Sequence, residues 1–202
     1  MNVIQPPFWV RWFYSGSIWR KPEREKIVYL TFDDGPVPEP TSWVLNELKS
    51  QDIKATFFCI GDNAEKNPGL LDQVRSEGHS VGNHTQNHLN GWNTPLDKYL
   101  ENVESCSRSV TSELFRPPYG RLTWRQFRAL QKKYRIVFWD VLSMDYDKEL
   151  SGADCIRNVM EYVRPGSVIV FHDSLKALDR LKVALPEVVS QLKAKGFRFE
   201  LL

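Results

Sequence analysis

The stretch Ile27-Val28-Tyr29-Leu30-Thr31-Phe32-Asp33-Asp34-Gly35-Pro36 is an apolar, β-branched run that stops in two adjacent carboxylates and a Gly-Pro turn. It reads as a strand that delivers charge at its C-terminal end. Working outward, similar runs occur at Ala55 to Ile60, His79 to Gly82, Leu114 to Arg116, Ile136 to Trp139, Val168 to Phe171 and Phe197 to Leu201. Candidate helices lie between them, near 41–51, 68–77, 97–112, 124–133, 153–163 and 175–195, several opening on Thr, Asp or Ser as helix N-caps do. Strands alternating with helices imply parallel βαβ units, which either close into a barrel or form an open doubly wound sheet.

Polar residues at the run ends choose between these. Asp33 and Asp34 follow the first run, His84 and His88 the third, Arg116 the fourth, Asp140 and Asp145 the fifth and His172 the sixth. In an open sheet with strands ~4.8 Å apart, loops several strands apart are on the order of 20 Å from one another. A seven- or eight-stranded parallel (β/α) barrel gathers all of them over one mouth, where such folds keep their active sites.

At 202 residues, 42% hydrophobic and 26% charged, the chain fits one globular domain. The net charge of +2 comes from 27 basic and 25 acidic residues with no basic block, which argues against a nucleic-acid partner. Cys59, Cys106 and Cys155 are odd in number and widely spaced, and read as buried apolar residues rather than a disulfide framework. The N-terminus has prolines and Arg11 in its apolar stretch and no signal-peptide layout, and no run approaches the ~18 apolar residues of a membrane span. A cytoplasmic location is the simplest expectation, and a leader preceding this sequence would place it in the cell envelope.

Thr31-Phe32-Asp33-Asp34-Gly35-Pro36 puts two carboxylates where one can face a metal and the other a water beside it, against the alternative of a solvated turn. Asn83-His84-Thr85-Gln86-Asn87-His88 carries histidines at i and i+4, expected on one face of a helical turn, a spacing zinc sites use. With Asp34, or alternatively Asp33, they make a two-His, one-carboxylate set with an open position. Phe115-Arg116-Pro117-Pro118-Tyr119-Gly120 reads by itself first as an ordinary Pro-rich loop, with the alternative that Arg116 steadies a carboxylate and the Tyr119 backbone NH meets an oxyanion. Trp139-Asp140-Val141-Leu142-Ser143-Met144-Asp145-Tyr146 and Val168-Ile169-Val170-Phe171-His172-Asp173 supply a carboxylate and a histidine, which side by side make a general acid.

With these motifs in this order, the chain from about Ile27 to Leu202 resembles the polysaccharide deacetylases, carbohydrate esterases sharing the NodB homology domain on a distorted (β/α) barrel. The resemblance implies Asp33 as general base, Asp34, His84 and His88 as metal ligands, His172 as general acid, Arg116 steadying Asp33, Asp145 supporting His172 and the Tyr119 NH on the oxyanion. It places Val170 against the acetate methyl. Leu142 stands where an aspartate is expected and Tyr146 where a tryptophan walls the groove, which bears on substrate preference. The implied reaction is metal-dependent removal of acetyl groups from an N-acetylated polysaccharide or oligosaccharide, peptidoglycan- or chitin-like, with zinc the metal the ligand set favours.

Trp92, Trp124 and Tyr146 are candidate sugar-stacking aromatics near the mouth. Residues 1–26 form an N-terminal extension outside the resemblance, and Phe8, Trp9, Trp12, Phe13 and Trp19 in it are expected to pack on the barrel, the other fate being a peripheral membrane contact. Two rival readings are a glycosidase using Asp33 and Asp145 and a non-catalytic sugar-binding barrel.

Overall fold

Period-two alternation along β1 (Ile27–Asp33), buried at every position, sorts its side chains into two faces. The computed structural model describes residues 4–22 and 24–202. Val28, Leu30 and Phe32 pack outward into the main core with residues of α2 (Pro38–Ser50), α4 (Pro68–Ser76), α7 (Gly152–Tyr162) and α8 (Leu178–Ala194). Ile27 and Tyr29 point inward onto Phe58, Leu114, Val137 and Val168, and Thr31 and Asp33 continue that inner face to the strand's C-terminal end. The interior is thus apolar at its base and polar at its mouth.

β1 pairs in parallel with β2 (Thr56–Cys59) on one side and β7 (Val168–His172) on the other. Beyond β2 follow β3 (Ser80–Asn83), β4 (Leu114–Phe115) and β5 (Arg135–Ile136), and beyond β7 lies β6 (Val141–Leu142). β8 (Arg198–Phe199) joins the start of β1. In a flat sheet β4 would stand ~14 Å from β1, three strand spacings away. Instead Arg116, just past β4, donates to Asp33 at the end of β1 over 2.6 Å, so the sheet curls into the expected distorted (β/α) barrel.

The expected helices all form, with α5 (Leu96–Cys106) and α6 (Trp124–Leu130) completing the set, although α5 stops short of the expected end. Thr123 and Ser151 open α6 and α7 with reciprocal capping boxes to Gln126 and Asp154. Two helices have no counterpart in the sequence reading, α1 (Phe8–Phe13) and α3 (Gly61–Lys66), each only 6 residues long. All three cysteines are free and buried.

Asp140 corrects one expectation. The run read as the fifth strand, Ile136 to Trp139, starts at the end of β5, and a separate short strand, β6, follows it, so Asp140 sits at the start of β6, at the base of the barrel and away from the mouth. There it is fully buried and accepts from Arg11 Nη2 (2.6 Å), Arg164 Nη2 (2.9 Å) and Ser167 Oγ (2.7 Å). The N-terminal segment fills the gap between the two ends of the sheet. Ile18 bridges to Val137, Arg20 to Ser167, and the Ile4 carbonyl accepts from Leu142 NH at 2.9 Å.

Asp140→Asn should lower unfolding free energy by about 3 kcal/mol, the low end for a broken buried ion pair because Arg164 keeps access to water. Urea unfolding checks this, and limited proteolysis should show faster cleavage within residues 4–22.

Candidate metal centre and active site

Asp34, the residue after β1, has a left-handed backbone (φ 84°), a conformation Asp tolerates better than most residues. Its carboxylate leaves the strand alternation and reaches two histidines: Oδ1 lies 3.2 Å from His88 Nε2 and 3.9 Å from His84 Nε2. One ligand atom from each of the three falls within 4.8 Å of the others. Gly35 is required next, because a Cβ there would stand 1.9 Å from Asp173 Oδ2. Asp173 accepts from Gly35 NH (3.0 Å) and Thr41 Oγ1 (2.6 Å) and so fixes the loop that carries Asp34. Burial, with Asp34 adding to it against these hydrogen bonds, pushes the Asp173 carboxyl up to about 8.

The histidines do not share a helical turn, contrary to the i, i+4 expectation. His84 follows β3 directly, and the loop is turned by Thr85 (φ 66°) and His88 (φ 60°). Side chains take the backbone groups a helix would have used: Asn83 Oδ1 accepts from Thr85 NH at 2.9 Å, Thr85 Oγ1 from Leu89 NH at 3.2 Å and Asn102 Oδ1 from Gln86 NH at 3.0 Å. The two imidazoles still converge, with ring centroids 5.2 Å apart.

These three residues fit a divalent metal ion. His84 Nδ1 lies 2.8 Å from the Arg116 carbonyl, which only accepts, so Nδ1 carries the proton and Nε2 presents its lone pair. Burial pushes His84 down to about 4, which keeps it the neutral imidazole a metal needs. Burial opposes ionisation of Asp34, but His88, His172, His84 and Lys176 outweigh it and hold the carboxyl well below the usual range. The approach of His88 lacks hydrogen-bond alignment, which leaves Asp34 Oδ1 a buried anionic oxygen without a donor. Two imidazoles and one carboxylate leave a coordination position open, as catalytic zinc sites do.

Arg116 is fully buried and donates to Asp33 Oδ1 (2.6 Å), Thr31 Oγ1 (2.8 Å) and the Phe138 carbonyl (3.0 Å). Asp145 accepts from the His172 backbone NH (2.8 Å) and lies 2.7 Å from its Nδ1, which leaves Nε2 for the mouth. Burial would lower the His172 pKa, but Asp145, then Asp34 and Asp33, raise it to about 9. The buried His84 and the half-buried His172 are thus driven in opposite directions, one towards the neutral and one towards the protonated form.

A cavity of about 700 Å³ joins Asp33, Asp34, His84, His88 and His172, within the ~300–1,000 Å³ typical of ligand sites. Val170, Leu142, Tyr146, Tyr119 and Trp92 also line it. Tyr146 stands edge-on to His172 at 4.9 Å, Tyr119 edge-on to His88 at 4.6 Å, and the Trp92 indole NH donates to the Leu122 carbonyl at 3.0 Å. Trp124 corrects an expectation: it stacks on Phe127 outside this cavity, because α6 carries it to the barrel's flank. Lys176 was absent from the sequence reading, and its Nζ lies 3.0 Å from Asp34 Oδ2. No motif marks it, since its place depends on how the loop after β7 folds back.

Comparison with known proteins gives the family. A family profile described as polysaccharide deacetylase matches residues 20–138. A peptidoglycan-N-acetylglucosamine deacetylase of Bacillus cereus is 37% identical over 88% of this chain and 67% of its own length. A chitooligosaccharide deacetylase of Azorhizobium caulinodans is 30% identical over 92% of this chain and 97% of its own. The crystal structure of a peptidoglycan N-acetylglucosamine deacetylase in complex with a naphthyl-substituted N-hydroxybenzamide superposes with a TM-score of 0.86 at 35% identity, covering 98% of this chain and 95% of that one. The chain belongs to the polysaccharide deacetylase family.

Proposed function

We propose that this polysaccharide deacetylase removes the N-acetyl group from N-acetylglucosamine residues of peptidoglycan, with Asp33 as base and His172 as acid. The observation that carries this reading is the arrangement round one cavity of a carboxylate held by Arg116, a histidine held by Asp145, and the Asp34, His84, His88 ligand set. The peptidoglycan deacetylase relative, at 37% identity against 30% for the chitooligosaccharide enzyme, favours that polymer. Such a substrate carries with it a cell-envelope location rather than the cytoplasmic one.

Zinc suits the donor set, and a divalent ion held there supplies a Lewis acid that acidifies water and polarises the acetamide carbonyl. Asp33, fixed by the Arg116 guanidinium, takes a proton from the attacking water as its oxygen bonds to the carbonyl carbon. The backbone NH of Tyr119 meets the developing oxyanion. His172, kept protonated by Asp145, gives its proton from Nε2 to the glucosamine nitrogen as the C–N bond breaks, and acetate leaves. Val170 and Leu142 offer an apolar wall for the methyl group.

The glycosidase alternative fails on Asp145, which is fully buried, with one oxygen on His172 Nδ1 and Ser143 Oγ and the other on the His172 NH. It has no oxygen left for a sugar. A purely sugar-binding barrel would have no need of an acid and a base held at this geometry.

Purified protein should carry about one divalent ion per chain, lost on chelation together with acetate release and absent from His84→Ala. Asp33→Asn should keep the ion and lose activity by roughly 10²–10⁴-fold, whereas Asp34→Asn should lose both. Metal analysis beside an acetate assay separates these, and equal metal loss in the two Asp variants would overturn the assignment.

His172→Ala should abolish release from an amide yet retain hydrolysis of an activated phenyl acetate, whose leaving group departs without a proton. Equal losses on the two substrates would assign His172 a structural part. In the metal-free protein, NMR should place the His172 titration near 9 against 6.5 for the unfolded chain. Its pairing with Asp145 therefore stabilises the fold fully below about 6.5, and that contribution is lost as pH rises through 9. Asp145→Asn should lower this pKa by roughly 1–3 units and flatten the alkaline fall in Tm.

A further inference from the structure

Helix α1 has the sequence Phe8-Trp9-Val10-Arg11-Trp12-Phe13 and buries none of its residues. Phe8 is 84%, Trp9 62%, Trp12 82% and Phe13 48% exposed. A contiguous aromatic surface of this kind marks an interaction site. The helix is not a loose tail. Arg11 is bound by the buried Asp140 at 2.6 Å, the Tyr14 hydroxyl donates to the Leu122 carbonyl at 2.6 Å, and Trp19 stacks flat on Phe138 at 4.1 Å.

Trp9 and Phe13 are one turn apart on one face of α1, and with Val10 they line the same cavity as Asp33 and His172. Relying on the polysaccharide reading above, we propose that α1 is the wall of a distal sugar site, where Trp9 and Phe13 stack on rings of the glycan chain beyond the residue being deacetylated. Sugar rings present apolar C–H faces, and aromatic side chains held rigid offer large contact area at low entropic cost. Continuity with the catalytic cavity identifies the occupant as more of the same polymer. A bilayer is the poorer fit. Seated on Trp9 and Phe13 it would cover the mouth, and Arg11, the cation on this helix, is already engaged by Asp140 rather than free for an anionic headgroup.

The test uses unbranched N-acetylglucosamine oligomers of two and six residues, with binding measured calorimetrically on metal-loaded protein carrying Asp33→Asn so that ligand is not consumed. The hexamer should bind about tenfold or more tighter than the dimer, the scale of a lost aromatic anchor, and Trp9→Ala/Phe13→Ala should erase that preference. Trp9→Ala alone, at a largely exposed position, should erase part of it without disturbing the core, and Phe8→Ala/Trp12→Ala should retain it. An unchanged hexamer preference in the Trp9/Phe13 variant would overturn the proposal. So would equal loss in the Phe8/Trp12 variant, or loss of sedimentation with phosphatidylglycerol vesicles in the Trp9/Phe13 variant while the hexamer preference stays, which would make α1 a membrane contact. Acetate release by the unmodified protein reports separately: no acetate with preserved length-dependent binding would sink the deacetylase reading and leave this site standing.

Discussion

A guanidinium with no exposure to solvent lies inside the barrel, and the site is arranged around it. Burying Arg116 strips it of water, and that cost is offset only where its donors find acceptors in good geometry. They do: Asp33 and Thr31 on β1, the Phe138 carbonyl beyond β5, and the face of Phe58 from β2 at 4.0 Å. One side chain thereby ties together strands that a flat sheet would hold apart. Its own carbonyl accepts from His84 Nδ1, so the residue that holds Asp33 also sets the tautomer of His84. An apolar side chain of similar volume would serve stability as well, but the hold on Asp33 would be lost with the guanidinium, leaving only the backbone carbonyl on His84.

The same economy governs His84 and His172. Burial alone lowers the pKa of both, and what each faces decides the outcome. His84 feels Asp33 and Asp34, but their pull is outweighed by burial and the second imidazole, and it stays neutral. His172 meets Asp145, whose remaining oxygen is anchored on the His172 backbone NH, so the carboxylate cannot swing away and the imidazolium persists. Lys176 close to Asp34 shows the same demand from the other side, since the anionic end of the ligand set draws the nearest mobile cation.

Much of this was legible in the sequence because it rests on period and punctuation. The run ending in Asp33-Asp34-Gly35-Pro36 reads as a strand, and the polar residues at successive run ends point to one mouth. What escaped depends on tertiary context. β6 spans only Val141–Leu142, too short for any periodic signal, and missing it moved Asp140 to the wrong end of the barrel. The His84 to His88 spacing suggested a helical turn, yet Asn83, Thr85 and Asn102 side chains capture the backbone and turn the loop instead. Short polar side chains beside backbone NH groups compete with helix in this way, and sequence spacing alone does not reveal which wins. Trp19 packs on the barrel as its apolar character suggests, whereas the aromatics of α1 stay in solvent, a division that periodicity over six residues does not predict.

The N-terminal segment shows how the barrel's own incompleteness is put to use. A parallel sheet whose path runs from β5 to β6 leaves two edges with unpaired backbone groups, a liability for any β protein. Ile18 takes up the NH and carbonyl groups on the β5 side through Ile136 and Phe138, and Ile4 takes up Leu142 NH on the β6 side. A chain that must reach both edges has to cross the space between them, and α1 lies on that crossing. Its position beside the mouth is therefore imposed by edge closure, and the aromatic wall it adds to the cavity follows from where the sheet fails to close.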